Sequence, residues 1–440
     1  MSLFGTDGVR GPAGQGPLSS LGALRLAACF AGALGEATAV AIARDTRRSG
    51  DMLSAAVVAG LCGAGLDVHD LGVLPTPALS WYLAEHPELA GGIMITASHN
   101  AWPDNGLKFF AAGGAKVADA VQDATATAWQ AGSNGPTSPP GARHDVAEVA
   151  ERGYLASLVA AVDSLQGTKV VVDTASGAAW RVLPAALDAA GAEVIDIAPP
   201  PTGTNINDGL GAVHPGVMAA AVVTHGAHAG IAVDGDGDRI MLADPTGQVH
   251  DGDAILGFLA ADMRAEGTLR GGCVVGTKTT NSGLGQYLAQ QDLQLLRSDV
   301  GDRHVAALMA SSGANLGGET SGHVLTPDLC PTGDGSRVAL DVLRRARGRS
   351  LADLLGAVPR YPVGKASVRV AERPPLDSLP ALAELTDAAN TALAAVGGRT
   401  LLRYSGTEPI LRIQVEAPDA ADATGWAERL AACARECIPS

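Results

Sequence analysis

At 440 residues the chain is long enough for roughly two to four domains, and with 47% hydrophobic and 18% charged residues it can bury a sizeable core rather than remain disordered. Its net charge of −15 excludes nucleic acid and anionic membrane surfaces as partners, so any phosphate site must be a local cluster of Arg, Lys and backbone N–H groups. The six cysteines are scattered with no C-x-x-C pair, which excludes a disulfide framework or a zinc site and points to a reducing, cytoplasmic setting.

The opening residues carry no basic and apolar leader, and the most apolar stretch, Leu26 to Ala43, is broken by Glu36 and several glycines; neither a signal segment nor a membrane span is expected. The apolar run Ala39–Ala43 reads as a strand, Asp51–Gly65 as a helix and Leu66–Leu71 as a second strand. Gly92–Thr96 is a further buried strand, with Ser98 just past its end. Residues 132–143 are rich in Gly, Pro and Ser and read as a surface loop. Lys169–Asp173, a helix over 177–190 and a strand at Glu193–Ile197 form another unit. Gly230–Asp234 and Arg239–Ala243 are strands flanking a Gly/Asp turn, and Gly272–Gly276 opens a third region. From about residue 362 the pattern restarts: a strand over 363–370, a helix over 378–395, strands at Thr400–Tyr404 and Ile410–Glu416, and a last helix over 422–437. Repeated strand–helix alternation predicts α/β architecture with mostly parallel strands, and the tail reads as a small α+β domain. Boundaries fall near 145, 247 and 362, giving units 1–145, 146–247, 248–362 and 363–440.

Five segments carry candidate chemistry. In Asp234-Gly-Asp-Gly-Asp-Arg239 two glycines let the backbone turn tightly enough for three carboxylates to converge, and such a group calls for a cation; hard oxygen ligands suit Mg²⁺. An EF-hand is excluded, because Arg239 and Pro245 stand where it needs Gly and Glu. Thr96-Ala-Ser-His-Asn100 follows a strand, where α/β folds bind ligands; Ser98 suits a nucleophile or phosphoryl carrier, although a turn or helix cap uses the same residues. Lys108 lies ten residues on in an apolar run, which makes it an acid/base candidate. Gly317-Gly-Glu-Thr-Ser-Gly-His323 combines a carboxylate, hydroxyls and an imidazole, a mixture suited to sugar hydroxyls and to proton movement. Arg403-Tyr-Ser-Gly-Thr407 with Glu408 and Arg412 has the makings of a phosphate cradle. The opening FGTDGVRG, residues 4–11, ends its Gly-rich run on Arg10 and is not a Walker loop.

Taken in order, FGTDGVRG, TASHN, DGDGDR, GE-x-SGH and SGTEP resemble the α-D-phosphohexomutase family over essentially the whole chain. The resemblance implies three related α/β domains with mixed, mostly parallel sheets and a smaller C-terminal α+β domain around a central cleft. It implies activation by phosphorylation of Ser98 and one Mg²⁺ held by Asp234, Asp236, Asp238 and the phosphoserine. Arg10, Lys108, His323 and His99 would serve the transferred phosphoryl group, with the proton-accepting role open between Lys108 and His323. Glu319, Ser321 and Arg239 would contact the sugar phosphate, and Arg403, Ser405, Gly406, Thr407 and Arg412 would grip its non-reacting phosphate. FGTDGVRG, Gly406, Asn205-Ile-Asn207 with Gly211 and His214-Pro215, and Thr332-Gly-Asp-Gly335 resemble the branch acting on glucosamine phosphates, which supplies amino-sugar nucleotide and cell-wall precursors. Thr320 departs from that branch, which usually carries Gln there. The partner implied is a phosphorylated hexosamine, and the protein would be a monomer or homodimer. Mannose or glucose phosphates remain the alternative substrates. A metal-dependent phosphatase using Ser98, or a non-catalytic sugar-phosphate sensor, would share part of this residue set.

Overall fold

The computed structural model describes residues 3–5, 7–135, 138–405 and 408–439. The first unit is built on a six-stranded sheet in the order Val9–Pro12, Asp104–Ala111, Gly91–Ile95, Ala39–Arg44, Asp67–Val73 and Arg143–Asp145. The four strands from Gly91–Ile95 to Arg143–Asp145 pair in parallel, and the other two pair antiparallel. Val40–Ala43 and Gly91–Ile95 are buried throughout, as strands covered on both faces must be. Helices Ser20–Ala33 and Gly50–Gly63 pack on one face of this sheet; the first was legible only as an apolar stretch.

The second sheet runs Val249–His250, Ile240–Ala243, Ala229–Val233, Lys169–Asp173, Glu193–Asp196, with parallel pairing at the Lys169–Asp173 strand and antiparallel pairing around Ile240–Ala243. The third is Gln294–Ser298, Cys273–Thr277, Gly317–Gly318, Val324–Leu325, again mixed. The last is a three-stranded antiparallel sheet, Val363–Arg369, Ile410–Glu416, Arg399–Tyr404, covered by helices Pro380–Ala394 and Ala420–Cys437. The fold is thus α/β with mixed, mostly parallel sheets in its first three parts and α+β in its last.

Core packing divides the chain unevenly. One continuous cluster joins Tyr82, Tyr154, Leu183, Ile231, Phe258 and Leu340, so the first three sheets share an interior. The tail encloses its own cluster, from Val368 to Ile438. It meets the third unit through buried Glu416, which accepts hydrogen bonds from the Ser282 N–H (2.8 Å) and hydroxyl (2.6 Å) and is paired with Arg399.

Several elements differ from the sequence expectation for identifiable reasons. The helix expected over 177–190 begins only at Val182. Ala175 and Ser176 adopt left-handed backbone (φ 55° and 49°), and Gly177 lies so close to the Gly235 carbonyl that a Cβ would sit 2.4 Å from it, so the chain turns here before it can wind. The third region opens with helix Gly252–Ala265, capped by Asp251, ahead of the expected strand. Pro380 starts its helix at the position where a missing N–H costs nothing. Among the described residues no helix is long and apolar enough to cross a membrane.

Candidate active site

Ser98 lies just beyond the strand Gly91–Ile95 and is 1% exposed. Its backbone is left-handed (φ 52°), a conformation that costs a non-glycine residue on the order of 1 kcal/mol and that clusters at functional sites. The strand end is pinned locally: the Ser98 N–H donates to Thr96 Oγ1 (2.9 Å), and that hydroxyl donates to Asp45 Oδ2 (2.6 Å). The Ser98 hydroxyl is thereby aimed across the junction between the first two sheets, where it donates to Asp234 Oδ2 at 2.7 Å. His99 Nδ1 is 3.3 Å from the same Oγ.

The turn between strands Ala229–Val233 and Ile240–Ala243 brings Asp234, Asp236 and Asp238 together, with one carboxylate oxygen from each within 4.8 Å of the others. All three are buried, and Gly237 (φ 73°) supplies the left-handed step the turn needs. Lys108, on strand Asp104–Ala111, reaches this group from the first unit and donates to Asp236 Oδ2 (2.7 Å) and Asp238 Oδ2 (2.8 Å); Asp7 Oδ2 lies 3.0 Å away. Burial draws the Lys108 ammonium down, but Asp236, Asp238 and Asp7 outweigh it and hold it well above the usual lysine value. One lysine does not balance the cluster. Burial, then repulsion from Asp238 and Asp236, pushes Asp234 up to about 8. Asp236 Oδ1 and Asp238 Oδ1 are buried without hydrogen-bond partners. Three converging hard oxygen donors, with Asp236 Oδ1 unpartnered and Asp234 short of positive charge, fit a divalent cation such as Mg²⁺; Asp238, despite its burial, is held well below the usual carboxylate range by Lys108, His323 and Arg239.

A cavity of about 920 Å³ opens beside this group and is lined by Arg10, His99, Arg239, Glu319, Ser321 and His323, together with Asp7, Thr279 and Asp302. Arg10 and Arg239 bring two guanidinium groups to the cavity wall; Arg10 Nη2 pairs with Asp7 (2.6 Å), and Arg239 Nε lies 4.0 Å from Asp238 Oδ1. Burial, then the charges of Arg239 and Arg10, pushes His99 down to about 4, and its ring is neutral at pH 7. His323 is buried between two carboxylates, with Nδ1 3.7 Å from Asp238 Oδ1 and Nε2 3.7 Å from Asp302 Oδ2. Burial alone would lower its affinity for a proton; Asp238 reverses the sign and raises it. Glu319 is held from the turn that precedes helix Asp302–Ser312, with Oε1 accepting from the Gly301 N–H (3.1 Å). The Thr320 hydroxyl donates to Asp253 (3.0 and 3.1 Å), so the residue that departs from the glucosamine branch is tied to helix Gly252–Ala265.

The structure therefore brings His99, Arg10, Asp238, Arg239, Glu319, Ser321 and His323 to one cavity wall, with Ser98, Lys108, Asp234 and Asp236 buried next to it. It does not bring the tail loop into that group. Arg403 is exposed and Arg412 pairs with Glu408 (2.8 Å), and neither lines the cavity. Ser405 is buried and its Oγ accepts from the Glu408 N–H (3.3 Å). Arg403 and Arg412 are register partners on neighbouring strands, a like-charge pair that an anion would relieve. Gly406 and Thr407 lie outside the described residues.

Asp7, Lys116 and Asp302 are among the residues that sequence reasoning missed. Asp7 stood in plain view inside FGTDGVRG; it pairs with Arg10 (2.6 Å) and binds Lys108 and Lys116. Lys116 and Asp302 offered no local signal. They meet at 2.5 Å and connect the first unit to the third beside His323.

Family models for phosphoglucomutase/phosphomannomutase match the chain in sequence order: alpha/beta/alpha domain I over residues 1–134, domain II over 152–247, domain III over 251–361 and the C-terminal domain over 366–432. The phosphoglucosamine mutase of Streptomyces griseus is 45% identical over 98% of this chain and 98% of its own length. That of Moorella thermoacetica is 44% identical over 95% of both chains. Among solved structures, a phosphoglucomutase/phosphomannomutase family protein from Burkholderia thailandensis superposes with a TM-score of 0.81 at 24% identity, covering 99% of this chain and 97% of the other. The N-acetylphosphoglucosamine mutase of Aspergillus fumigatus, solved with GlcNAc-6P and magnesium, gives a TM-score of 0.63 at 20% identity over 91% of this chain and 83% of its own. These two likenesses speak to the fold, whereas the sequence matches speak to descent: the chain belongs to the phosphoglucomutase/phosphomannomutase family, and the relatives it aligns with from end to end are phosphoglucosamine mutases.

Proposed function

We propose that this protein interconverts glucosamine 6-phosphate and glucosamine 1-phosphate through a phosphorylated Ser98 and a sugar 1,6-bisphosphate. The observation that carries the reading is the junction of Ser98 Oγ with Asp234 (2.7 Å) beside a cavity whose wall holds two guanidinium groups, those of Arg10 and Arg239. A phosphoryl carrier, a cation-hungry carboxylate group and anion donors are the parts that phosphoryl transfer requires, since that reaction depends on positioning and charge neutralisation.

In the forward direction the substrate's 1-hydroxyl attacks the phosphorus on Ser98. The new P–O1 bond forms as the P–Oγ bond breaks, and the hydroxyl proton passes to a base. The sugar then turns, and Ser98 Oγ attacks the 6-phosphate; the P–O6 bond breaks and O6 takes a proton back. Ser98 leaves the cycle phosphorylated, as it entered. His323, on the cavity wall, is the group for this proton traffic; Lys108, kept protonated despite its burial by Asp236, Asp238 and Asp7, supplies charge instead, and neutral His99 stands beside Ser98 Oγ. Arg10 and Arg239 hold phosphate oxygens from the cavity wall. Glu319 and Ser321 bind sugar hydroxyls from the cavity wall. Asp234, Asp236 and Asp238 would hold Mg²⁺, which supplies neutralisation of phosphoryl charge when bound.

A test of the substrate compares kcat/KM for glucosamine 6-phosphate, glucose 6-phosphate and mannose 6-phosphate. Glucosamine 6-phosphate should lead; equal or better turnover of mannose or glucose phosphate would replace this reading with the alternative.

The paired Arg403 and Arg412 are assigned to the phosphate that is not reacting. Arg403→Ala should raise KM for glucosamine 6-phosphate about 10- to 100-fold, the worth of one charge-assisted contact, with a smaller effect on kcat. An unchanged KM in steady-state assays would remove the tail loop from substrate binding.

A further inference from the structure

Two side chains from different units converge on the same two carbonyls of the serine loop. Arg47 is 1% exposed and uses both ends of its guanidinium. Nε donates to Asp45 Oδ2 (2.8 Å), Nη1 to Ala101 O (2.5 Å) and Asp104 O (3.0 Å), and Nη2 to Ser98 O (2.9 Å) and Asn100 O (2.8 Å). All five guanidinium donors are thereby occupied. Asn207 comes from the second unit, and its Nδ2 donates to the same Ser98 O (2.8 Å) and Asn100 O (3.0 Å). Asn207 is itself left-handed (φ 58°), a conformation asparagine adopts more readily than most residues, and its N–H is anchored on Ala175 O at 2.9 Å.

The amide of Asn207 also lies against the aspartate turn. A Cβ at Gly235 would sit 2.6 Å from Ser98 O and 2.7 Å from Asn207 Nδ2, so glycine at 235 is what admits the approach. The serine loop, the Asn207 segment and the aspartate turn therefore meet at one point, directly behind the Ser98–Asp234 hydrogen bond. A left-handed Ser98 turns its carbonyl inward, away from any strand partner, and buried carbonyls need donors. Arg47 supplies them from its own unit; Asn207 supplies them from the unit that carries Asp234.

We propose that Asn207, acting with Arg47, is a positioning residue for phosphoryl transfer: by holding the Ser98 and Asn100 carbonyls it sets where Ser98 Oγ stands relative to the aspartate turn across the boundary between two units. The inference rests on the phosphoserine reading above. It assigns a task to the Asn205-Ile-Asn207 segment, which packs on the aspartate turn at Gly235 and does not line the cavity.

Asn207→Ala in the full chain tests it. A misplacement of about 1 Å at a reacting atom is worth about 100-fold in rate, so kcat should fall about 10- to 100-fold while KM for glucosamine 6-phosphate stays within about threefold. Charging of Ser98 by glucose 1,6-bisphosphate, followed by intact-mass spectrometry, should slow in parallel. Arg47→Lys, which offers three donors where five are used, should show the same split. Thermal unfolding of each variant separates this from a merely structural role, because rates are compared per folded molecule well below Tm. A folded Asn207→Ala enzyme with wild-type kcat and wild-type charging, beside an inactive Ser98→Ala enzyme, overturns the positioning role alone. Turnover surviving in Ser98→Ala overturns both the role and the reading beneath it.

Discussion

Ser98→Ala should lose mutase turnover by at least about 10⁴-fold while the protein stays folded. The size follows from the role: when a side chain carries the group being transferred, its loss removes the covalent route itself, and effects of that order accompany the loss of nucleophiles. The fold should survive because the hydroxyl bonds only to the Asp234 and His99 side chains, whereas the loop is held through its backbone by Thr96, Arg47 and Asn207. Alanine in the left-handed conformation of Ser98 adds a cost on the order of 1 kcal/mol, small against the stability of a chain this size. The assay should follow glucosamine 1-phosphate with inorganic phosphate measured alongside. Wild-type enzyme should produce isomer without stoichiometric phosphate, because Glu319, Ser321 and the two arginines give the bisphosphate a cavity in which to be retained. Phosphate release at the rate of substrate loss would indicate the phosphatase that shares Ser98 and the aspartates. Wild-type turnover in Ser98→Ala would end the carrier role.

How far this site could be read in advance depended on whether its residues are neighbours in the chain. Asp234, Asp236 and Asp238 converge through a six-residue turn between two strands, and Ser98 follows a buried strand closely; in both cases the geometry is local and the pattern carries it. Lys108 was visible because a charge inside the apolar run of Asp104–Ala111 needs partners, and it has three. Lys116 and Asp302 are single charges in unremarkable stretches, and only the packing of the first unit against the third makes them a pair. Thr76 is the same kind of case: at the start of a helix it looks like an ordinary terminus, yet its hydroxyl donates to Asp236 Oδ2 at 2.6 Å. The late start of the helix at Val182 has a related cause. Local periodicity favours winding from 177, but contact between Gly177 and Gly235 across the sheet forces a left-handed turn first. The α/β class and the α+β tail were legible from alternation alone; the shared core of the first three sheets was not, because periodicity reports which face is buried and not what covers it.

Removal of divalent cations should silence the enzyme as thoroughly as any substitution outside Ser98. Exhaustive chelation is expected to lower kcat by more than about 100-fold, since the neutralisation a cation offers a transferring phosphoryl group is worth several kcal/mol, and Mg²⁺ alone should restore it. The protein should remain folded throughout. Lys108 already lies on Asp236 and Asp238 at 2.7 and 2.8 Å, so the carboxylates keep one positive charge when no metal is bound. That same lysine explains why the group still favours a divalent ion: it satisfies one oxygen on each of two aspartates and leaves Asp236 Oδ1 buried and unpartnered, while Asp238 Oδ1 faces His323 Nδ1 at 3.7 Å. Asp236→Asn removes one charged donor and also weakens the hold on Lys108 and on the Thr76 hydroxyl. It should raise the Mg²⁺ concentration for half-maximal activity by more than about tenfold, with thermal unfolding showing a native-like transition. Full turnover after chelation, checked by elemental analysis of the protein, would assign the aspartates to holding Lys108 and not to holding a metal. An Asp236→Asn enzyme with an unchanged Mg²⁺ requirement would place the ion elsewhere.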